Sequence, residues 1–423
     1  MTKNGIIGLS AGAIIVLGGL TLYTNSAFSS QISQAIENNE HPQFKLSVES
    51  QESGLFGGSA QYKLVLNRDA LAQAGAPNQD DVEFYFNHEY ASYPLLVDSQ
   101  FTIDFTKGAP KELMELFTVD SIDHIATLST NLLSQSNSLN VTFQPATLED
   151  KSGSVVKTGK MTSNIDGNLE FSEGTYNFDF SEITGELTSG GNMLMTAFTG
   201  NGDFASEQGF VYTKQSTTSL KELSFKNEAV LEQWALKNLT FLTSTTPFDG
   251  DVVSGDSKVS FDSVIVKNAM ADYTITDTVL DIAIKDIDKN GVIAVNEASR
   301  SGAEIHELIA ATKDILARGF KGDIKSLTTT VNGVKVDSKG AFDVPAYAGE
   351  MNQQMIMMHM MHKFSLDYNA NLSNNYASVF PQYAPMIDGM AAQGFATKDD
   401  EGNVSTVIKI KDMAITANDK RIR

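Results

Sequence analysis

FKLSVESQESGLFGGSAQYKLVLN, residues 44–67, is the stretch that decides the fold. Phe44, Leu46 and Val48 alternate with polar neighbours, and Tyr62, Leu64 and Leu66 repeat the alternation. Successive side chains of a strand point to opposite faces, so a period of two marks a strand with one buried side. Gly57-Gly58 lies between the two runs. Two such runs joined through glycine read as an antiparallel hairpin.

The same signature recurs downstream. Val82–Phe86 and Phe101–Phe105 add strands, and a short helix is predicted at Lys111–Phe117, after Pro110. From Leu139 to Lys285 strands follow one another: Leu139–Phe143, Leu169–Phe171, Tyr176–Phe180, Asn192–Phe198, Gly209–Tyr212, Leu220–Phe225, Val259–Val266 and Tyr273–Ile284. Little helix separates them, and parallel pairing needs a long crossover between strands. The expected fold class is therefore α+β, mainly antiparallel β. Its body spans residues 44–423, with a division into two sub-domains near 245–257 as one option.

Two helices interrupt the strands. Ser301-Gly-Ala-Glu304 reads as a capping box before Ile305, Leu308, Ile309, Ile315 and Leu316, with Gly319 closing the end. Asn375–Gln393 carries Phe380, Tyr383, Met386, Ile387 and Met390, is broken by Pro381 and Pro385, and is closed by Gly394. A last hairpin turns at Asp399–Asn403.

Gly5–Tyr23, GIIGLSAGAIIVLGGLTLY, holds 19 residues without a charge. At a helical rise of ~1.5 Å per residue it covers a bilayer core. Lys3 precedes it and the next Lys or Arg is Lys45, so the positive-inside bias sends the body out of the cytoplasm. Residues 1–27 form a signal-anchor in this reading, and 28–43 a linker or short helix. A cleaved signal is the rival; it has a shorter apolar core and a small-x-small site, which Thr24 and Ser26 supply poorly. The expected location is the bacterial inner membrane, single-pass, with the C-terminal body in the periplasm. Gly8-Leu-Ser-Ala-Gly12 matches a nucleophile elbow, but inside a membrane segment it lacks the strand–turn–helix setting.

Composition narrows the function. Lys and Arg number 31 against 52 Asp and Glu, a net charge of −21. Such a surface repels phosphate backbones and speaks against nucleic acid as a partner. Cysteine is absent, which removes disulfides, thiolate catalysis and Cys-based metal sites.

The order of elements resembles the YdgA-like family of exported bacterial proteins. The residues that carry the likeness are the apolar N-terminus, the strand pair around Ser47–Ser59, Phe86-Asn-His88, and a C-terminal helix with Gln393-Gly394-Phe395 and a hairpin ending in Asn418. The resemblance implies an envelope location and a β-rich body. It brings no catalytic residues.

Two metal-site readings stand beside their plainer rivals. Asp286-Ile-Asp288-Lys-Asn290-Gly-Val292-Ile-Ala-Val-Asn-Glu297 fits the twelve-residue EF-hand pattern. Asp286, Asp288, Asn290, the Val292 carbonyl and Glu297 would ligate calcium. The rival is a strand followed by an Asn-Gly turn. Met351–His362, MNQQMIMMHMMH, holds six Met and two His. Met355, Met358, His359 and His362 would suit copper(I); the rival is an adaptable apolar segment. His88 and His124 stand alone and are read as surface or hydrogen-bonded histidines.

These readings converge on an anchored periplasmic protein that binds another envelope component, protein or lipid, and is not an enzyme. An envelope enzyme with a carboxylate acid/base pair and a calcium- or copper-responsive protein are the alternatives. A reporter fused after residue 43 is expected to be active only outside the cytoplasm, with Lys3 retained in the mature protein. A mature N-terminus near Ala27 would replace the anchor with a cleaved signal.

Overall fold

The computed structural model describes residues 44–53, 57–67, 81–93, 96–207, 210–246, 250–300 and 303–422. It is strand-rich (62%), with seven helices among the described residues. The predicted anchor at 5–23 and the linker at 28–43 lie outside the described residues. No helix among the described residues is long and apolar enough to cross a membrane. The chain divides into two compact units, the first mainly 44–192 and 197–212, the second mainly 213–299 and 303–422.

The first unit opens with β1 (Phe44–Ser53), β2 (Gly57–Leu66), β3 (Val82–Tyr93) and β4 (Leu96–Ile103). After α1 (Gly108–Met114) come β5 (His124–Asn131), β6 (Ser136–Phe143), β7 (Ala146–Glu149), β8 (Val155–Thr158), β9 (Met161–Asn168) and β10 (Glu173–Glu186). Each of β1 to β5 pairs antiparallel with the next. β6 then pairs with β9, β9 with β10, β10 also with β8, and β8 with β7. The expected hairpin is the β1–β2 pair, with Leu46 opposite Leu64.

One face of this sheet is a continuous core that includes Leu46, Leu64, Phe86, Phe101, Leu128 and Leu139. A second cluster packs Met114 of α1 and Phe117 against Phe105 and Leu148. Leu169–Phe171, expected as a strand, is instead the turn between β9 and β10. Asn168 Oδ1 accepts the Ser172 N–H at 2.8 Å and Phe171 adopts a φ of 48°. Its ring drops into the core, which explains an apolar residue in a turn.

The chain continues with β11 (Gly191–Glu207) and β12 (Phe210–Asn227), of which 197–212 belong to the first unit and 193–196 and 213–227 to the second. The second unit continues with β13 (Glu232–Thr245), β14 (Val252–Asn268), β15 (Ala271–Asp288), β16 (Phe320–Val331), β17 (Val334–Val344) and β18 (Ser365–Leu372). It ends with β19 (Thr397–Lys398), β20 (Val404–Lys411), β21 (Ala414–Ala417) and β22 (Lys420–Arg421). From β12 to β18 each strand pairs antiparallel with the next. β20 pairs with β18, β19 and β21, and β21 with β22. By contact the first unit gives way to the second near residue 212, and within 245–257 β13 and β14 pair across their turn, Thr245 opposite Gly255.

Helices fill the longer connections: α2 (Lys289–Arg300), α3 (Ile305–Ala311), α4 (Lys313–Arg318), α5 (Gln353–Lys363), α6 (Tyr376–Val379) and α7 (Ala384–Ala392). The cap of α3 is Glu304 rather than Ser301, its N–H donating to the Glu307 carboxylate at 3.1 Å. The helix expected over 305–318 breaks at Thr312. Gly319 does close it, at φ 73°, its N–H reaching the Ile315 carbonyl at 2.9 Å. The helix expected over 375–393 splits around Phe380–Tyr383, because Pro381 has no N–H for the helical ladder. Val334, Tyr376, Ala396 and Val404 form the core beneath α6 and α7.

Leu64 lies in the first core at 1% exposure. Leu64→Ala should cost about 2–5 kcal/mol of unfolding free energy. Lys45→Ala, on an exposed position of β1, should change it by less than about 0.5 kcal/mol. Urea unfolding followed by circular dichroism measures both, and equal effects would place the core elsewhere.

Candidate functional site

The sheet of the second unit has an unusual surface. Phe241 and Leu242 are consecutive on β13, so their side chains point to opposite faces. Yet they are 39% and 37% exposed. Among the described residues neither face carries a full covering layer at this point. The register also aligns Phe225, Trp234, Val266 and Tyr273 in one row across β12, β13, β14 and β15. Leu223, Leu236, Val264 and Ile275 form the next row, on the same face. The rings of Phe225 and Trp234 stack at 6.2 Å, while Val266 and Tyr273 are exposed. A contiguous exposed apolar surface of this kind marks an interaction site.

The candidate calcium ligands are not gathered into a loop. Asp286 and Asp288 end β15, whereas Asn290, Val292 and Glu297 lie in α2. Asp288 Oδ1 accepts the Gly291 N–H at 3.0 Å and Oδ2 is 3.8 Å from Arg318. The Asp-x-Asp-x-Asn-Gly pattern is thus a strand end and a helix start. A helical backbone carbonyl at Val292 serves the helix's own ladder instead of an ion. Among the described residues no group of three or more His, Asp or Glu is arranged to hold a metal.

Met355, Met358, His359 and His362 share one face of α5 by their spacing. His359 Nε2 is 3.0 Å from the Ala346 carbonyl and its ring lies 5.0 Å from that of Tyr347, so that nitrogen is engaged with the backbone. No residue of α5 is buried, and Met355, Met357, Met358 and Met361 are all exposed. The helix therefore adds apolar surface rather than filling a core.

Of the described histidines of the first unit, His88 is buried and His124 half-buried. His88 stands on β3 opposite Phe101, their rings parallel within 9° at 4.2 Å. Its Nδ1 is 3.1 Å from the Tyr62 hydroxyl. Burial pushes its pKa down to about 4 and that of Tyr62 up to about 12. His124 accepts the Ile103 N–H at Nε2 (2.6 Å) and donates from Nδ1 to the Ile122 carbonyl (2.8 Å). Burial pushes its pKa down as well. The signal available for His88 was the alternation of Phe84, Phe86 and His88, which places all three on one face.

A buried-phenol cluster lies under α6 and α7. Tyr376 donates to Asp388 Oδ1 at 2.6 Å, and Lys398 Nζ lies 3.3 Å from both. These bonds hold the Asp388 carboxyl below its ordinary range, the Tyr376 bond most. Glu83 is likewise lowered by Lys63, Asp150 by Ser152 and Asp399 by Asn403. Each is favoured in its charged form, the opposite of a general acid held protonated.

The described residues thus define a β-rich protein with exposed apolar side chains on the sheet of its second unit. The model of the family described as bacterial protein of unknown function (DUF945) matches residues 1–423, and the chain belongs to that family. No curated protein and no solved structure matches it.

The buried imidazole has a pH signature. The folded ring is held neutral, so as pH falls the unfolded chain takes up the proton first. His88 therefore contributes stability that is present above pH ~6.5 and is lost as pH falls toward 4, about 3 kcal/mol in all. The stability difference between the native chain and His88→Gln should narrow by about that amount from pH 7 to pH 4, read by urea unfolding at each pH. A difference independent of pH would mean that the ring takes up its proton equally in the folded and unfolded chain.

Proposed function

We propose that this chain is an inner-membrane-anchored periplasmic protein, allied to the YdgA-like proteins, whose body binds an apolar envelope component on the sheet of its second unit. The observation that carries the reading is the exposure of Phe241 and Leu242 on opposite faces of β13. Apolar area left in water forfeits about 25 cal/mol per Å² that a partner would recover. The methionines of α5 supply a second, adaptable apolar surface of the kind used by binders that accommodate varied partners. The anchor at 5–23 supports the location, because it would keep the body beside the membrane and its lipids and proteins.

A photo-crosslinking residue placed at Phe241 in the full chain, in intact cells, should form an adduct with a lipid or protein of the envelope. The same residue at Lys237, exposed on the same strand, serves as the reference. Phe241→Ser should leave unfolding within about 0.5 kcal/mol of the native value and abolish co-purification of the component that the adduct at 241 identifies. Equal labelling at 237 and 241 would remove this surface from consideration.

A further inference from the structure

The four-strand register fixes where two hairpins end. Trp234 is opposite both Phe225 and Val266, and Val266 is opposite Tyr273. Two further pairs close each hairpin, ending at Asn227 with Glu232 and at Asn268 with Ala271. The β12–β13 and β14–β15 turns therefore stand side by side at one level. Their apexes are apolar: Val230 and Leu231 are 60% and 74% exposed, and Met270 is 97% exposed. Each apex is held by an asparagine. Asn227 Oδ1 accepts the Ala229 N–H at 3.0 Å, and Asn268 Oδ1 accepts the Met270 N–H at 2.8 Å.

We infer that these twin hairpin tips dip into the surface of a zwitterionic phospholipid bilayer. Three arguments select that occupant. The first is shape. Two isolated apexes with one or two aliphatic side chains each need a matching socket in a folded partner, whereas lipids rearrange around them. The second is the row behind the tips. Trp234 and Tyr273 stand about 10 Å from the apexes at ~3.3 Å per strand residue. Amphipathic rings at that height match the aromatic belt of a membrane interface. The third is charge. Lys226 is paired with Glu228 at 2.7 Å and Lys267 with Asp272 at 3.5 Å. No free basic patch is left there to draw anionic headgroups, and the chain's −21 charge opposes them.

The tether makes so small an anchor sufficient. The inference rests on the reading of residues 5–23 as a membrane segment. Residues 24–43 then span at most about 65 Å, which keeps the body near the bilayer at high effective concentration. Three aliphatic side chains that would bind weakly from solution become effective when binding is intramolecular.

Trp234 is the chain's one tryptophan, so its emission reports on the tips directly. The full chain is reconstituted into phosphatidylcholine vesicles, with or without bromine high on the acyl chains, and the vesicles are floated. Flotation reports the N-terminal anchor, and quenching reports the tips. At an interfacial depth of about 5–10 Å, brominated lipid should remove about half or more of the emission. Leu231→Glu with Met270→Glu should float as before and lose that quenching. Chain that floats with unquenched Trp234 overturns the tips and leaves the anchor standing. Chain that fails to float and is unquenched overturns both. Quenching that survives the double substitution, or a concentration-dependent blue shift without lipid, assigns Trp234 to another contact or to a second copy, and overturns the tips.

Discussion

Backbone pairing carries the second unit, and what is distinctive there follows from it. β12 to β15 run for 14 to 18 residues each, yet among the described residues no layer covers either face of β13 at Phe241 and Leu242. In such a sheet an aromatic ring has no opposing layer to enter, so it lies along its own. Phe342 lies over Gly322 and Tyr368 over Gly340, each directly paired with that glycine, and a Cβ at either position would meet the ring within 3 Å. Asp277 takes a positive φ where the register between β15 and β16 slips, and Asn238 takes one on β13 without a change of register. Such irregularities deepen local twist and re-aim side chains. The first unit solves the same problem in the ordinary way, with one face buried from Leu46 to Val141.

The sequence is most readable where burial is one-sided. The hairpin at 44–66 alternates cleanly because one face meets a core. β13 escaped notice because Phe241-Leu242 are adjacent and Lys237-Asn238 interrupts the pattern. Alternation fails when neither face is dry. β16 and β17 were missed for a related reason: their Thr, Ser and Lys residues suit a half-wet surface and leave little hydrophobic period. The motif at 286–297 is ambiguous in another way. Its Asp and Asn spacing satisfies a calcium loop, but Asp288 serves equally well as a helix cap, and single-sequence spacing does not separate the two. The interior position of His88 was legible in its alternation with Phe84 and Phe86. Its partner Tyr62 was not, because that contact joins residues 26 apart in the chain.

The two units place polar and apolar groups in opposite ways. In the first, imidazole and phenol are drawn inside an apolar face and held neutral by burial. In the second, Trp, Tyr, Val and Met are carried outward on sheet and helix. The first arrangement fixes one packed state, since a buried polar pair tolerates few alternatives. The second leaves apolar area unsatisfied within the chain, which is a cost unless something outside it is met.

An exposed apolar sheet invites copies of the chain to stack, and charge opposes this. With 21 more acidic than basic groups, two chains repel before their sheets can meet. The last strand, β22, is two residues long and ends in basic residues, a short edge that offers little template for pairing. Both devices act on charge or on backbone edges, and neither covers the apolar faces. Charge thus opposes another copy or an anionic lipid, and it leaves the approach of an uncharged or zwitterionic apolar surface unopposed.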